Sequence, residues 1–397
     1  MKVLSINAGS SSLKFKLYDM PEEKVLIDGY VQRIGIDGYI EMQVNGKEIK
    51  YEIDVPDHNM AASFLIDALI RYHVIETLEE ISVIGHRIVH GGGKYLPQII
   101  NRSDLVRLKK LTYLSPVHMK ANIAGIEAFM KVLPDAKQVV VYDTAFHHTI
   151  PKENFLYPVP LEWYEKYGVR KFGFHGISCN YITLEMEKIL GKKVNLIICH
   201  IGAGASVTAV KNSKSYDNSM GFTPNAGLMM ATRSGDIDYS ILPYMSHVSG
   251  LSLIELDEVL NHKSGLEGIA PGLSDNRDLM KAIKAKDENA ILAYKMYINK
   301  IAGYIAKYYV MLRQVDAIVL CGGVGENALK FRSDLLTALE PLGISIDEHK
   351  NEKIHKLKDD HHGIITNKYS KIPCYVIPTD EEVMIAREAY KQVESVI

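Results

Sequence analysis

The sequence predicts an α/β protein made of two related halves. Three observations carry that prediction. The chain has 397 residues, more than one hydrophobic core usually accommodates. An apolar strand, a Gly/Ser turn and a second strand open the chain and recur near its middle. After each of these hairpins, helical and strand periodicities alternate, which is the pattern of an α/β domain.

Taken in order, Val3, Leu4 and Ile6 form a short buried-strand run, Gly9 and Ser10 to Ser12 break it, and Leu13, Phe15 and Leu17 resume with period two. Further strands follow over 24–53, with Asn45-Gly46 as a hairpin turn. A helix is expected over 59–73 and a strand over Ile81 to Val89. Helices near 103–112 and 120–133 then precede Val139 to Asp143, a strand ending on a carboxylate. In the second half a helix near 178–190 leads to the strand Val194 to Cys199, the turn His200 to Ser206, and a strand through Val207 and Val210. Further strands, a helix near 252–262 and a long helix near 287–313 come next. Ile291, Ile298, Ile301 and Ile305 give that long helix one apolar stripe, which reads as core. Ala317 to Cys321 is a last buried strand before Gly322 to Asn327, with a helix over 328–339. No Pro- or Ser-rich linker separates the halves, so they are expected to pack around a cleft.

Composition narrows the function. With 47% hydrophobic and 24% charged residues the chain reads as an ordinary globular protein, and a net charge of −2 gives no reason to expect nucleic acid or a membrane surface as partner. No apolar run approaches the ~18 residues of a membrane span. Cys179, Cys199, Cys321 and Cys374 lie far apart without a CxxC pair, which suits a reducing compartment better than a disulfide framework or zinc site. The N-terminus opens directly into a strand, and the expectation is a cytoplasmic protein.

Three glycine turns, at 7–12, 202–206 and 322–327, concentrate backbone N–H groups. None is a P-loop, and none is a GxGxxG fingerprint within a βαβ unit, which argues against a Rossmann oxidoreductase. In the first turn Asn7, Ser10, Ser12 and Lys14 surround a backbone that a phosphate can approach closely; a plain polar hairpin accounts for that stretch equally well. Jointly the turns suit a nucleotide held between two related domains. Arg87 and Arg233 each sit among apolar and small residues. Such a guanidinium serves either a carboxylate or phosphoryl ligand or an inward ion pair. His175 has the chemistry to donate to developing negative charge or to act as a core histidine. Asp143 can orient an arginine, bind metal through water, or cap the next segment. The pairs His147-His148 and His361-His362 lack metal-site spacing and read as surface residues.

Eight motifs in order, NAGSSSLKF (7–15), GHRIVHGG (85–92), DTAFH (143–147), FGFHG (172–176), SMGFTP (219–224), GLMMATRSGDID (227–238), GGVGEN (322–327) and TDEE (379–382), resemble the acetate kinase family over essentially the whole chain. The resemblance implies two duplicated βββαβαβα domains of the actin-like ATPase type with a nucleotide cleft between them. Residues 1–148 plus 383–397 would form the N-terminal domain and 149–382 the C-terminal nucleotide-binding domain. It implies reversible transfer of a phosphoryl group from ATP to acetate, giving acetyl phosphate and ADP. Mg²⁺ or Mn²⁺ would be held by Asn7 and Glu381. Lys14, Ser10 and Ser12 would lie near the phosphates, and His200, Ile201, Gly202, Ala203, Gly204, Asp275, Asn276, Arg277, Gly323, Val324, Gly325, Glu326 and Asn327 would form the nucleotide site. Arg87 and Arg233 would grip the carboxylate and the moving phosphoryl group, His175 would stabilise the transition state, and Asp143 would be the catalytic carboxylate. Val89, Val117, Phe174 and Pro224 would wall the acyl pocket, and the protein would be a homodimer.

The chain departs from the family pattern in several places. The nucleotide turn, usually HLGNG, has Ala203 in place of the asparagine. Cys179 replaces a second histidine, and the HNP segment reads His118-Met119-Lys120. Asn225-Ala226 replaces Leu-Glu, and Ala231 replaces a glycine. Val117 stands where leucine is common, which leaves room for propionate, and a pyrophosphate donor is the other variation on the same chemistry. The rival from another class is a non-catalytic, nucleotide-gated binding protein of the same fold.

Overall fold

The computed structural model describes residues 1–356 and 363–394, with the side chains at 116, 117, 355 and 356 outside the description; His361 and His362 therefore lie outside the described residues. The chain divides into two units, residues 1–146 with 380–397, and residues 147–379. The boundaries read from the sequence fall a few residues later at both crossings.

In the first unit, β1 (Lys2–Ala8), β2 (Ser12–Asp19), β3 (Lys24–Gln32), β4 (Tyr39–Val44), β5 (Lys47–Glu52), β6 (Ile81–Ile88), β7 (Gln98–Ile99) and β8 (Lys137–Tyr142) form one sheet in the order β5-β4-β3-β2-β1-β6-β8-β7. β1 is antiparallel to β2 and parallel to β6, and β6 is parallel to β8. β1 is thus an interior strand flanked on both sides, and its Val3, Leu4 and Ile6 are buried. Helices α1 (His58–Arg71), α2 (Arg102–Lys110) and α3 (Pro116–Val132) complete the continuous part of the unit. The carboxylate of Asp57 caps α1 by accepting from the Met60 amide. α3 begins a turn earlier than the sequence predicts because Pro116, with φ preset and no N–H to satisfy, occupies the first helical position.

The second unit starts with α4 (Lys152–Phe155), α5 (Leu161–Tyr167) and α6 (Gly176–Leu190). Its sheet holds β9 (Leu196–Ile201), β10 (Ala205–Lys211), β11 (Lys214–Asn218), β12 (Ala317–Cys321), β13 (Gly363–Ile364) and β14 (Cys374–Val376), in the order β11-β10-β9-β12-β14-β13. The series β3-β2-β1-β6-β8 and β11-β10-β9-β12-β14 match strand for strand, including the parallel pairing of the last three and an antiparallel edge strand. The duplication therefore resides in topology, which explains why few residues coincide between the halves. Helices α7 (Ile241–Ser249), α8 (Leu253–His262), α9 (Gly265–Ile269), α10 (Asn276–Lys284) and α11 (Glu288–Leu312) lie between β11 and β12, and α12 (Gly322–Asn327), α13 (Leu329–Ala338) and α14 (Glu348–Lys356) follow β12. On α11, Ile298, Ile301 and Ile305 are buried, as their spacing predicts.

Two expectations are corrected here. Only β11 appears where several strands were expected between 211 and 252. Beyond it the chain runs irregularly, tied by paired bonds between Gly227 and Asp236, and then becomes helical. The glycine loop at 322–327 is itself a helical turn, α12, whose first amide is satisfied by Glu326 Oε1 at 2.7 Å. Gly322 has φ +77°, and a β-carbon there would stand 2.9 Å from the Ile201 carbonyl oxygen, so both conformation and space require glycine. The chain finally returns to the first unit as α15 (Glu381–Glu394), which packs against β1 and β6 through Val383, Ile385, Ala386 and Ala389.

Candidate active site

In the first unit the candidate residues lie at the carboxyl ends of the parallel strands, where open α/β sheets bind their ligands. Asn7 is the second-last residue of β1, Arg87 the second-last of β6, and Asp143 follows β8 directly. Arg87 Nη2 donates to Asp143 Oδ2 at 3.0 Å, while its Nε lies 3.6 Å from Glu381 Oε2, an ion-pair distance too long for a hydrogen bond. The Arg87 and Asp143 side chains are 15% and 1% exposed. Burial opposes the Arg87 charge, but Asp143 and Glu381 outweigh it and hold the guanidinium above its ordinary value. Burial, with Asp143 and Glu382 nearby, pushes Glu381 well above the usual carboxylate range against the pull of Arg87 and Lys14.

Lys14 is exposed on β2, directly across the ladder from Asn7, with its ammonium over the Tyr30 ring. Ser10 is exposed and Ser12 half-buried on the turn, which closes through Gly9 N to Ser12 O at 2.8 Å. Val89 is buried just past β6; the side chain of Val117 lies outside the described residues.

Two residues the sequence reading missed hold this arrangement. Asn122, on α3 and buried, donates to the Ala8 carbonyl at 2.6 Å and accepts from the Val89 amide at 3.0 Å, tying together the ends of the strands that carry Asn7 and Arg87. His58 Nε2 lies 2.8 Å from the Gly9 carbonyl and braces the turn. Their partners are distant in sequence, so no local pattern announces them.

The metal implied by the resemblance finds oxygen donors here. Among the described residues no group of three or more His, Cys, Asp or Glu side chains is placed to hold a metal ion. The residues the resemblance names for it, the carboxylate of Glu381 and the amide of Asn7, are oxygen donors of the kind a hard divalent cation takes alongside waters and substrate phosphates. Burial is the main reason the Glu381 carboxyl is raised, with Asp143 and Glu382 adding to it, and a divalent cation beside it would favour the ionised form.

In the second unit a cavity of about 640 Å³ is lined by Gly202, Ala203, Asp275, Asn276, Arg277, Gly323, Val324 and Asn327, all anticipated from sequence, together with Ala231, Leu266, Ser274, Tyr297 and Ala328, which were not. Its walls are the β9–β10 turn, α12 and the start of α10. Five anticipated residues lie behind the wall. Ile201 and Gly325 are buried, Gly204 is half-buried in the turn, and His200 stacks on His175. Glu326 turns inward to accept from the amides of Gly322 and Thr379. Asp275 caps α10 and holds the Arg277 fork, which keeps its carboxyl down at about 2. Behind α12, the fully buried Arg332 donates to the carbonyls of Gly325 and Glu326 and to Asn351 Oδ1. It is a further supporting residue that only the fold reveals.

His175 and Arg233 meet at the same turn. The point where a β-carbon would stand on Gly204 is 3.5 Å from His175 Nε2 and 3.6 Å from Arg233 Nη1. Arg233 is steadied by the Pro224 carbonyl, which accepts from Nη1 at 3.2 Å, and Phe174 is buried beside His175. Of the histidine pair read as surface residues, His148 is exposed but His147 is fully buried, which corrects that reading. Its Nδ1 lies 2.8 Å from Ser215 Oγ and its Nε2 2.8 Å from the Phe174 carbonyl, so both ring nitrogens find partners inside the unit.

A twice-built β-sheet domain with its first hairpin turn glycine-rich, and with basic groups gathered at those turns, defines a duplicated α/β protein of the actin-like ATPase class. More narrowly, the chain belongs to the acetokinase family, whose model matches residues 2–387. It is 45% identical over 395 residues to an acetate kinase of Geobacillus kaustophilus, covering 98% of each chain. Among solved structures it resembles an acetate kinase of Porphyromonas gingivalis (38% identity, 99% of each chain, TM-score 0.87). It also resembles a propionate kinase of Francisella tularensis (36% identity, 98% and 99% of the chains, TM-score 0.91).

Proposed function

We propose that this protein transfers a phosphoryl group reversibly between ATP and acetate, with acetyl phosphate and ADP as the other pair, by direct in-line displacement. The observation that carries the reading is the meeting of His175 Nε2 and Arg233 Nη1 at Gly204, next to a cavity of nucleotide size. Pyrophosphate would leave most of about 640 Å³ unfilled, which favours a nucleotide donor.

The chemistry follows from charge. A simple carboxylate is ionised at pH 7, its pKa lying near ~4, so the nucleophile needs no general base. The task is to bring two anions together and stabilise charge on the equatorial phosphoryl oxygens. Arg87 binds the acetate carboxylate through the end of its fork that Asp143 and Glu381 leave over. Asp143 orients that guanidinium and takes no proton. Arg233 and the Nε2–H of His175 meet the phosphoryl oxygens, and the family resemblance assigns Val89, Phe174 and Pro224 to the methyl group. Mg²⁺ or Mn²⁺, held by Asn7 and Glu381, would neutralise phosphate charge when bound.

The protein acts as a cytoplasmic homodimer in this reading. Four buried free thiols suit a reducing compartment. No described helix is long and apolar enough to cross a membrane. The packed pair α7 and α8, with the segment before them, exposes Tyr239 (82%), Tyr244 (65%), Leu253 (68%) and Ile254 (82%), an apolar face that a second copy would cover.

Trapping acetyl phosphate as the hydroxamate tests the function. Purified protein with acetate and MgATP is expected to form it. Parallel reactions with propionate and butyrate, and with pyrophosphate as donor, fix the acyl chain and the donor. Tight ATP binding with no hydroxamate from any acid would replace the kinase with a nucleotide-gated binding protein.

A further inference from the structure

His175 is a residue whose position is imposed on it. Its backbone lies in the left-handed region, φ 57° and ψ 27°, where a non-glycine residue persists only if its surroundings hold it. The preceding carbonyl, of Phe174, meets His147 Nε2 at 2.8 Å and Asn218 Nδ2 at 3.2 Å. Two side chains that restrain the ring are Ser206 and His200. Nδ1 lies 2.9 Å from Ser206 Oγ, and one face stacks on His200 with centroids 4.2 Å apart and planes 27° apart. Ser206 and His200 are direct partners across the β9–β10 ladder, so one cross-strand pair supplies both restraints. His200 is in turn fixed by Ser178 Oγ, 2.8 Å from its Nδ1.

We propose that Ser206 is a positioning residue, whose hydroxyl donates to His175 Nδ1 and so keeps the single proton of the neutral imidazole on Nε2. The inference rests on the phosphoryl-transfer reading above and extends it to a residue that touches no substrate. A neutral imidazole carries one N–H, and the hydrogen bond at one nitrogen decides where it sits. With the hydroxyl proton directed at Nδ1, Nε2–H points to the Gly204 and Arg233 side as a donor to phosphoryl oxygen. With the opposite polarity, Nε2 would present a lone pair there and repel the group it is meant to stabilise. Ser206 is 0% exposed and lies on a ladder strand, so water cannot take over its role and its oxygen has little freedom to move.

The test reads the tautomer directly. Protein labelled with ¹⁵N-histidine gives long-range ¹H–¹⁵N correlations, and His175→Gln identifies the resonances of residue 175 among the 15 histidines. The spectra are recorded at about pH 8.5, two units above the ordinary imidazole pKa. The expected wild-type spectrum shows His175 as the Nε2–H tautomer. Ser206→Ala is expected to show both tautomers and to lose about tenfold to hundredfold in kcat. KM for ATP and acetate should change less than kcat, with the melting temperature within a few degrees. Ser206→Thr, which keeps the hydroxyl, is expected to restore both the spectrum and the rate. A wild-type His175 protonated on Nδ1 overturns the proposal whether or not the variants fold, and so does Ser206→Ala with unchanged tautomer and kcat. A wild-type protein that forms no hydroxamate would overturn the kinase reading instead, while the spectrum still decides the tautomer.

Discussion

An arginine that meets charge only as it develops contributes to rate more than to affinity. The proposed reaction gives Arg233 that role: its Nη1 and His175 Nε2 both lie within 3.6 Å of the point where a β-carbon would stand on Gly204, and its backbone is outside the strands. Arg233→Ala is therefore expected to lose about 4 kcal/mol or more of transition-state stabilisation, since an arginine finger contributes roughly 10³–10⁵ in rate. Single-turnover hydroxamate formation should fall accordingly while ATP binding, measured by calorimetry, changes little; near-normal turnover would remove Arg233 from the mechanism. At this scale the sequence singled out Arg87, Asp143, His175 and Arg233 as candidates, because they lie in long motifs of small and apolar residues. It could not disclose Asn122, Ser206 or Arg332. These are ordinary residue types whose partners lie up to 114 residues away, so only the folded chain gives them a task. His147 was misread for the same reason. A residue after a strand end reads as exposed until another segment, here Ser215 and Phe174, closes over it.

The longer strands were legible because period-two alternation and buried apolar runs survive in a single sequence, and the long α11 because its stripe spans many turns; the two- and three-residue β7, β13 and β14 were not. The short helices α4, α5, α9 and α12 were not: helices of four to seven residues carry too few positions to show a period. One strand carries its own test. β6 buries His86 in the centre of the sheet, with Nε2 2.8 Å from Gln138 Oε1 on the neighbouring β8. Burial lowers its pKa from the ordinary 6.5 to about 4. The unfolded chain thus binds a proton that the folded chain refuses between those values. Stability from this group is present above about pH 6.5 and is lost as pH falls towards 4, on the order of 3 kcal/mol in all. Urea titrations across that window should show the decline in the wild type and a flatter profile in His86→Leu. Parallel slopes would mean that other groups dominate the acid limb.

For the molecule as a whole, the apolar face on α7 and α8 makes the oligomeric state a concrete prediction. Ile254→Asp, at an 82% exposed position, should leave the melting temperature of a monomer unaffected. It should convert a homodimer to a monomer by light scattering, whereas an unchanged dimer would move the interface elsewhere. The first unit, meanwhile, is assembled from both ends of the chain. Its sheet is covered by α15, whose Ile385 packs so closely on β6 that a β-carbon at Gly85 would stand 2.7 Å from it. During synthesis the strands of that sheet emerge well before α15, which follows on the order of tens of seconds later. The nascent first unit must therefore wait, with one side of its sheet bare and exposed to chaperones, until α15 has been made.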